Sequence, residues 1–133
     1  MAFRCPPFLF LSLEVRRKES YLWYMKYDKH VFICTNQRAE GARKSCGEAC
    51  GMELVAEFKK ILKAKNLKGR MRAQKAGCLD TCDYGPSVVV YPEGVFYGGV
   101  NTEDVKEIVE QHLINDKPVE RLMINFNNEN QPA

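Results

Sequence analysis

The sequence predicts an α/β domain, a mixed four-stranded sheet with two main helices. Three observations carry that expectation. Short β-branched and aromatic runs occupy 30–34, 87–91 and 95–97, the pattern of strands that bury at least one face. Apolar residues recur at helical spacing over 53–65 and again over 102–113. The segments follow one another as strand, helix, strand, strand, strand, helix. A helical crossover joins parallel strands and a tight turn joins antiparallel ones, so both relations occur in one sheet.

Each element has a local reason. Val31, Phe32 and Ile33 lead into Cys34, and the polar 35–38 ends that strand. Loop chemistry follows, with Gly41, Ser45, Gly47 and Gly51 close together. Leu54, Val55, Phe58, Ile61 and Leu62 form the stripe of a helix over 53–65, with Lys59, Lys60 and Lys63 on its wet side. A second, polar strand is expected over 69–77. Segment 87–91, built on Val88, Val89 and Val90, meets Val95, Phe96 and Tyr97 through Pro92-Glu93-Gly94, which is hairpin-turn chemistry. Thr102 is expected to cap the last helix, with Glu103 and Asp104 in its first turn and Val105, Ile108, Val109 and Leu113 on one face. The thioredoxin-like fold has this order of elements.

A chain of 133 residues supports one core rather than two, and 45% hydrophobic with 28% charged residues is a globular balance. A net charge of only +3, with both signs interspersed, disfavours a nucleic-acid binder that depends on neutralising phosphates. The first 24 residues stand apart. Their apolar run from Phe8 to Leu13 is broken by Ser12 and followed by Glu14, Arg16, Arg17 and Lys18. It is too short to span a membrane and has the wrong charge order for a secretory signal. The expected organisation is an N-terminal extension over 1–24, a folded domain over 25–124 starting at Met25, and a tail over 125–133. From Met25 onward 16 basic residues face 15 acidic ones, so the domain is nearly neutral. Its charge is uneven all the same: every charged residue from Lys59 to Lys75 is basic, while 103–120 is mainly acidic. That asymmetry suits either the steering of a partner or an ordinary solvated face.

Six cysteines in so short a chain mean a disulfide framework, a metal site or a redox centre. Cys5 lies in the extension. Cys34 ends the first strand, Cys46 and Cys50 lie in the glycine-bearing loop before the first helix, and Cys78 and Cys82 bracket Leu79-Asp80-Thr81 after the second strand. With both loops leaving one edge of the sheet, Cys34, Cys46, Cys78 and Cys82 can reach a common centre. Converging thiolates repel one another unless a cation or an iron-sulfur core neutralises them, which favours a metal centre over idle thiols. For Cys34 and Cys78 the plainer reading is a small buried hydrophobe. Two further chemistries fit the same residues. Zinc accepts four cysteine ligands in pairs, and Cys78 with Cys82 suggests a thiol-disulfide oxidoreductase, although the two-residue spacing of such motifs is absent. His30 and His112 pair consistently with no cysteine, and His112 is expected to be structural. Trp23, Tyr84, Phe96 and Tyr97 are candidates for a docking patch, with Phe96 and Tyr97 more naturally divided between the two faces of a strand.

Several motifs, in order, resemble those of the thioredoxin-like [2Fe-2S] ferredoxins, standalone relatives of the small iron-sulfur subunit of NADH dehydrogenase. They are Val31-Phe32-Ile33-Cys34-Thr35-Asn36-Gln37-Arg38, Ser45-Cys46-Gly47, Gly77-Cys78-Leu79-Asp80-Thr81-Cys82-Asp83-Tyr84-Gly85-Pro86 and Val88-Val89-Val90-Tyr91-Pro92-Glu93-Gly94-Val95-Phe96-Tyr97. The likeness runs over about 28–124, through Pro118-Val119-Glu120-Arg121-Leu122-Met123-Ile124. It implies a [2Fe-2S] cluster held by Cys34, Cys46, Cys78 and Cys82, one-electron transfer without substrate chemistry of its own, redox protein partners and a tendency to homodimerise. The match at Ser45-Cys46-Gly47 favours Cys46, while Cys50, four residues on, could replace it if the loop rearranged. Eleven residues separate the first two ligands and three the last two, unlike the plant-type C-x4-C-x2-C pattern. Gly47, Gly51, Gly77 and Gly85 suit loops that approach such a group closely, and Glu48, Asp80 and Asp83 place acids near it, or else simply on a solvated loop. Reduced thiols without a secretory signal fit a cytoplasmic setting.

Overall fold

The computed structural model describes residues 24–41 and 46–127, and of residues 48 and 49 it describes the backbone. Cys5, Trp23, the Glu48 side chain and nearly all of the expected extension lie outside the described residues.

The sheet is made of β1 (Lys29–Cys34), β2 (Met71–Ala76), β3 (Val88–Tyr91) and β4 (Val95–Tyr97) in the spatial order β2-β1-β3-β4. β1 runs parallel to β2, with Lys29 opposite Met71 and Cys34 opposite Ala76. It runs antiparallel to β3, which in turn pairs antiparallel with β4. Helix α1 (Glu48–Ala64) makes the crossover from β1 to β2. Helix α2 (Thr102–Glu107) continues through wider, π-type turns over Ile108–Ile114.

One core joins these pieces. Val31 and Ile33 of β1, Val88 and Val90 of β3 and Tyr97 of β4 meet Leu54, Val55, Phe58 and Leu62 of α1 and Val105, Ile108, Val109 and Leu113 of α2, all buried. The helical stripe expected from the sequence is therefore the stripe that packs. The other face of the sheet carries partly exposed rings, with His30 stacked on Phe32 at 4.2 Å and Phe32 edge-on to Tyr91 at 5.9 Å.

Both helix starts differ from the sequence reading, and β2 is shorter than the expected 69–77. α1 begins at Glu48, so Cys50 and Gly51 are helical rather than in a loop. The first helical hydrogen bond runs from Gly51 N–H to the Gly47 carbonyl (3.0 Å). The apolar period starts only at Leu54 because this first turn faces the cysteine-bearing end instead of the core, so periodicity carries no trace of it. The cap of α2 is Asn101, not Thr102: its side chain accepts from Glu103 N–H (2.9 Å) and Asp104 N–H (3.0 Å), and the Asp104 carboxylate accepts from Asn101 N–H (3.0 Å).

At the end of the sheet away from the cysteines, charge is buried in a chain of contacts. Lys29, almost wholly buried, pairs with Glu93 of the β3–β4 turn and with Asp116 (2.6 Å). Tyr97 Oη accepts from Val119 N–H (3.1 Å) and lies 2.6 Å from His112 Nδ1. With the tyrosine proton on that bond, the ring proton sits on Nε2, 3.3 Å from the Glu93 carboxylate but poorly aligned with it. His112 is fully buried, as a structural histidine should be. Burial pushes Tyr97 up to about 12. Burial alone would raise Glu93 as well, but His112 and Lys29 outweigh it and hold the carboxyl at about 2.

A carboxyl depressed from 4.5 to about 2 stabilises the fold above pH 4.5, and that contribution disappears as pH falls from 4.5 towards 2. Glu93→Gln should lower the denaturant midpoint at neutral pH and flatten its decline across that acid window. An unaltered pH profile in urea titrations would contradict the assignment.

Candidate metal centre

The cysteine-bearing end is built from the ends of β1 and β2 and from the segment leading into β3. Cys34 closes β1 with 1% of its surface exposed, and its N–H donates to the Ser87 carbonyl (3.1 Å). Cys46 precedes α1 and is also buried. Burial, and then the hydrogen bond with the neighbouring Cys34 thiol, push the Cys46 thiol up, against hydrogen bonds from Ser87 that favour the thiolate. Cys78 follows β2 and is exposed, whereas Cys82, buried, opens a 3-10 turn over Cys82–Tyr84. The Cys78 and Cys82 sulfurs stand 3.3 Å apart.

The thiols thus approach as two pairs, Cys34 with Cys46 and Cys78 with Cys82. Among the described residues no three Cys, His, Asp or Glu side chains gather as they would around a single ion. Two thiolates on one tetrahedral metal with bonds of about 2.3 Å lie roughly 3.8 Å apart, so the Cys78–Cys82 pair needs little opening to hold one. The pairs meet at Gly85. A Cβ there would fall 2.7 Å from Cys46 Sγ, and Gly85 N–H bonds back to the Cys82 carbonyl (3.3 Å). Only a residue without a side chain lets them come so close. Gly51 has the same role on the other side, because a Cβ would fall 2.3 Å from the Cys34 carbonyl oxygen and 2.9 Å from Thr35 Cα. Gly77, by contrast, faces open space.

Three contributors were not visible in the sequence. Ser87, fully buried, ties the segments together: its carbonyl takes the Cys34 N–H, its hydroxyl donates to the Thr81 carbonyl (2.9 Å), and it bonds Cys46. Asp80, read in the sequence as an acid near the centre or on a solvated loop, adopts a left-handed φ of 59° and offers its backbone N–H to Cys78 Sγ at 3.3 Å. Arg38 reaches both sulfurs of the second pair, Nη1 at 3.0 Å from Cys82 Sγ and Nη2 at 3.3 Å from Cys78 Sγ. The Asp80 amide, the Cys82 contact and Arg38 together hold Cys78 below the usual thiol range. Arg38 was legible only as a cation four residues beyond a candidate ligand. Cys50 is exposed on the first turn of α1.

Of the other candidates, Tyr97 points into the core while Phe96 lies on the opposite face beside Phe126 (5.6 Å), which also meets Tyr84 (6.3 Å). The basic run is partly engaged in ion pairs, Lys65 with Glu110 (3.4 Å) and Arg70 with Asp28 (2.5 Å). No helix among the described residues is long and apolar enough to cross a membrane.

No protein-family model matches the chain. Over 96 residues it is 42% identical to a protein of Clostridium pasteurianum named "Ferredoxin, 2Fe-2S", covering 71% of this chain and 94% of that one. An Aquifex aeolicus (strain VF5) protein of the same name is 45% identical over 98 residues, covering 72% and 88%. The crystal structure of the wild-type thioredoxin-like [2Fe-2S] ferredoxin from Aquifex aeolicus superposes with a TM-score of 0.69 at 41% identity, covering 76% of this chain and 99% of that one. The chain belongs to the thioredoxin-like [2Fe-2S] ferredoxins. Membership in that family accounts for the order of elements and for the convergence of two loops at one end of the sheet. The donor set fits a two-iron group as well: two thiol pairs, each with its own hydrogen-bond donors, suit a two-centre group better than a lone ion.

Ser87→Ala should cost about 0.5–1.5 kcal/mol by removing the hydroxyl's bond to the Thr81 carbonyl, which keeps its bond from Tyr84 N–H. Gly51→Ala should cost about 1–3 kcal/mol, through the clash with the Cys34 and Thr35 backbone. Urea denaturation of the metal-free chain measures both, and wild-type midpoints would refute the two roles.

Proposed function

We propose that this chain is a one-electron carrier whose [2Fe-2S] cluster is held by Cys34, Cys46, Cys78 and Cys82, with no substrate chemistry of its own. The observation that supports this most is the pairing of four thiols at one end of the sheet, three of them buried and one exposed, in a chain of this family. The cluster supplies a one-electron couple. Its net charge is already negative when oxidised and deepens on reduction, so the chain's part is to neutralise and shield that charge. Buried Cys34, Cys46 and Cys82 keep water from three sulfurs, while the Asp80 amide donates to Cys78 and Arg38 to both Cys78 and Cys82. Exposed Cys78 leaves a short path to a docked redox protein. The rigid strands on which the loops stand limit rearrangement between oxidation states.

The finer assignments extend this reading. The folded unit spans 25–124, with an extension before it and a tail from 125. It acts in the cytoplasm, where thiols stay reduced, and associates with a second copy and with redox protein partners. The close Cys78–Cys82 approach is also what a metal-free dithiol would use, and that reading leaves Cys34 and Cys46 without a task.

Anaerobically reconstituted chain should be red-brown, hold about two irons and two acid-labile sulfides, and give a paramagnetic signal after dithionite. Cys50→Ser should keep that spectrum and Cys46→Ser should lose or alter it. Bound zinc, a colourless chain, or the opposite behaviour of the two variants would overturn the reading.

A further inference from the structure

We propose that Arg38 positions the transferred electron: its guanidinium bridges the sulfurs of Cys78 and Cys82, stabilises the reduced state and draws the added charge to the pair that contains exposed Cys78. The proposal rests on the carrier function argued above and assigns a role to a residue outside the ligand set.

The geometry is that of a fork. Two nitrogens of one planar guanidinium reach two sulfurs that are 3.3 Å apart, Nη1 to Cys82 at 3.0 Å and Nη2 to Cys78 at 3.3 Å. Lysine, with a single compact charge, has no such match. The loop that carries Arg38 is fastened on both sides. Thr35 N–H donates to the Ala76 carbonyl at 3.1 Å and its hydroxyl to the same oxygen at 3.0 Å, while Gly47 N–H donates to the Asn36 carbonyl at 3.0 Å. These bonds tie the segment after Cys34 to the end of β2 and to the entry of α1, so the guanidinium is delivered from one cysteine's loop to the other pair. A permanently charged donor near two sulfurs interacts more strongly with the group when it carries an extra electron than when it does not, because the attraction scales with the charge it faces. Hydrogen bonds to cluster sulfurs set the potential by this means. The pair so treated contains the exposed cysteine, whereas Cys34 and Cys46 are buried. The electron is thereby held where a partner can take it.

The test uses the full reconstituted chain in four forms: wild type, Arg38→Gln, Arg38→Lys, and Arg72→Gln as a control on β2, where the only described side-chain bond of Arg72 is to Gln74. Iron and sulfide are counted first, and the potential is then measured by mediated redox titration followed by paramagnetic resonance. Arg38→Gln should load and bind its electron roughly tenfold less tightly, a shift of about 59 mV to lower potential for one electron. Arg38→Lys should fall between it and wild type, and Arg72→Gln should match wild type. An unmoved potential in a loaded Arg38→Gln chain sinks this proposal alone, as does an equal shift in Arg72→Gln. Should Arg38→Gln fail to load, Arg38→Lys decides, a lower potential supporting the proposal and a wild-type value ending it. Loss of the cluster from both Arg38 variants also ends it, since a residue that tunes the couple is dispensable for assembly. A wild-type chain that takes up neither iron nor sulfide defeats the carrier reading and this proposal with it.

Discussion

Because β1 and β2 run parallel with Cys34 opposite Ala76, both strands deliver their following loops to the same end of the sheet, and everything at the cysteine-bearing end depends on that register. A slip of one residue would turn Cys34 to the other face and move Cys78 relative to it. The parallel relation is in turn imposed by the crossover through α1, whose stripe of Leu54, Val55, Phe58 and Leu62 fixes it in the core. The core therefore fixes the separation of the two thiol pairs, and the pairs themselves contribute little to holding the strands together.

The finer positioning is done by backbone and by small residues. Gly85 and Gly51 permit approaches that a Cβ would block. Ser87 fastens the segments of three cysteines at once, and the left-handed backbone at Asp80 turns an amide towards a sulfur. The ion pair of Lys29 with Glu93, and buried His112 beside it, lie at the opposite end of the strands.

Much of this was legible in the sequence. Strands at 30–34, 87–91 and 95–97 and the helical stripes at 54–62 and 105–113 follow from periodicity, because in each the buried face contacts the core. The start of α1 was not legible, since its first turn touches the cysteine loop and carries no apolar period. Asn101 and Thr102 both make competent caps, and only the placement of Asp104 decides between them. At the cysteine-bearing end, spacing and motif likeness singled out Cys34, Cys46, Cys78 and Cys82 as residues on the ends of elements that face one another. Their arrangement as two pairs, the bridging by Arg38 and the fastening by Ser87 depend on side-chain directions that no spacing encodes. Glycine's role was similarly ambiguous: four were candidates, and the structure distinguishes Gly51 and Gly85, against which backbone and sulfur press, from Gly77, which faces open space.

The last segment of the described chain closes one flank of the sheet. Met123 bridges to Tyr97, Ile124 N–H donates to the Phe96 carbonyl at 2.9 Å, and Gly98 N–H donates to the Leu122 carbonyl at 2.9 Å. The other outer strand, β2, carries exposed Arg72 and Lys75. With one border partly covered and the other carrying positive charge, both are poor templates for a foreign strand among the described residues. Dense accumulation of this protein therefore carries little risk of cross-strand polymerisation.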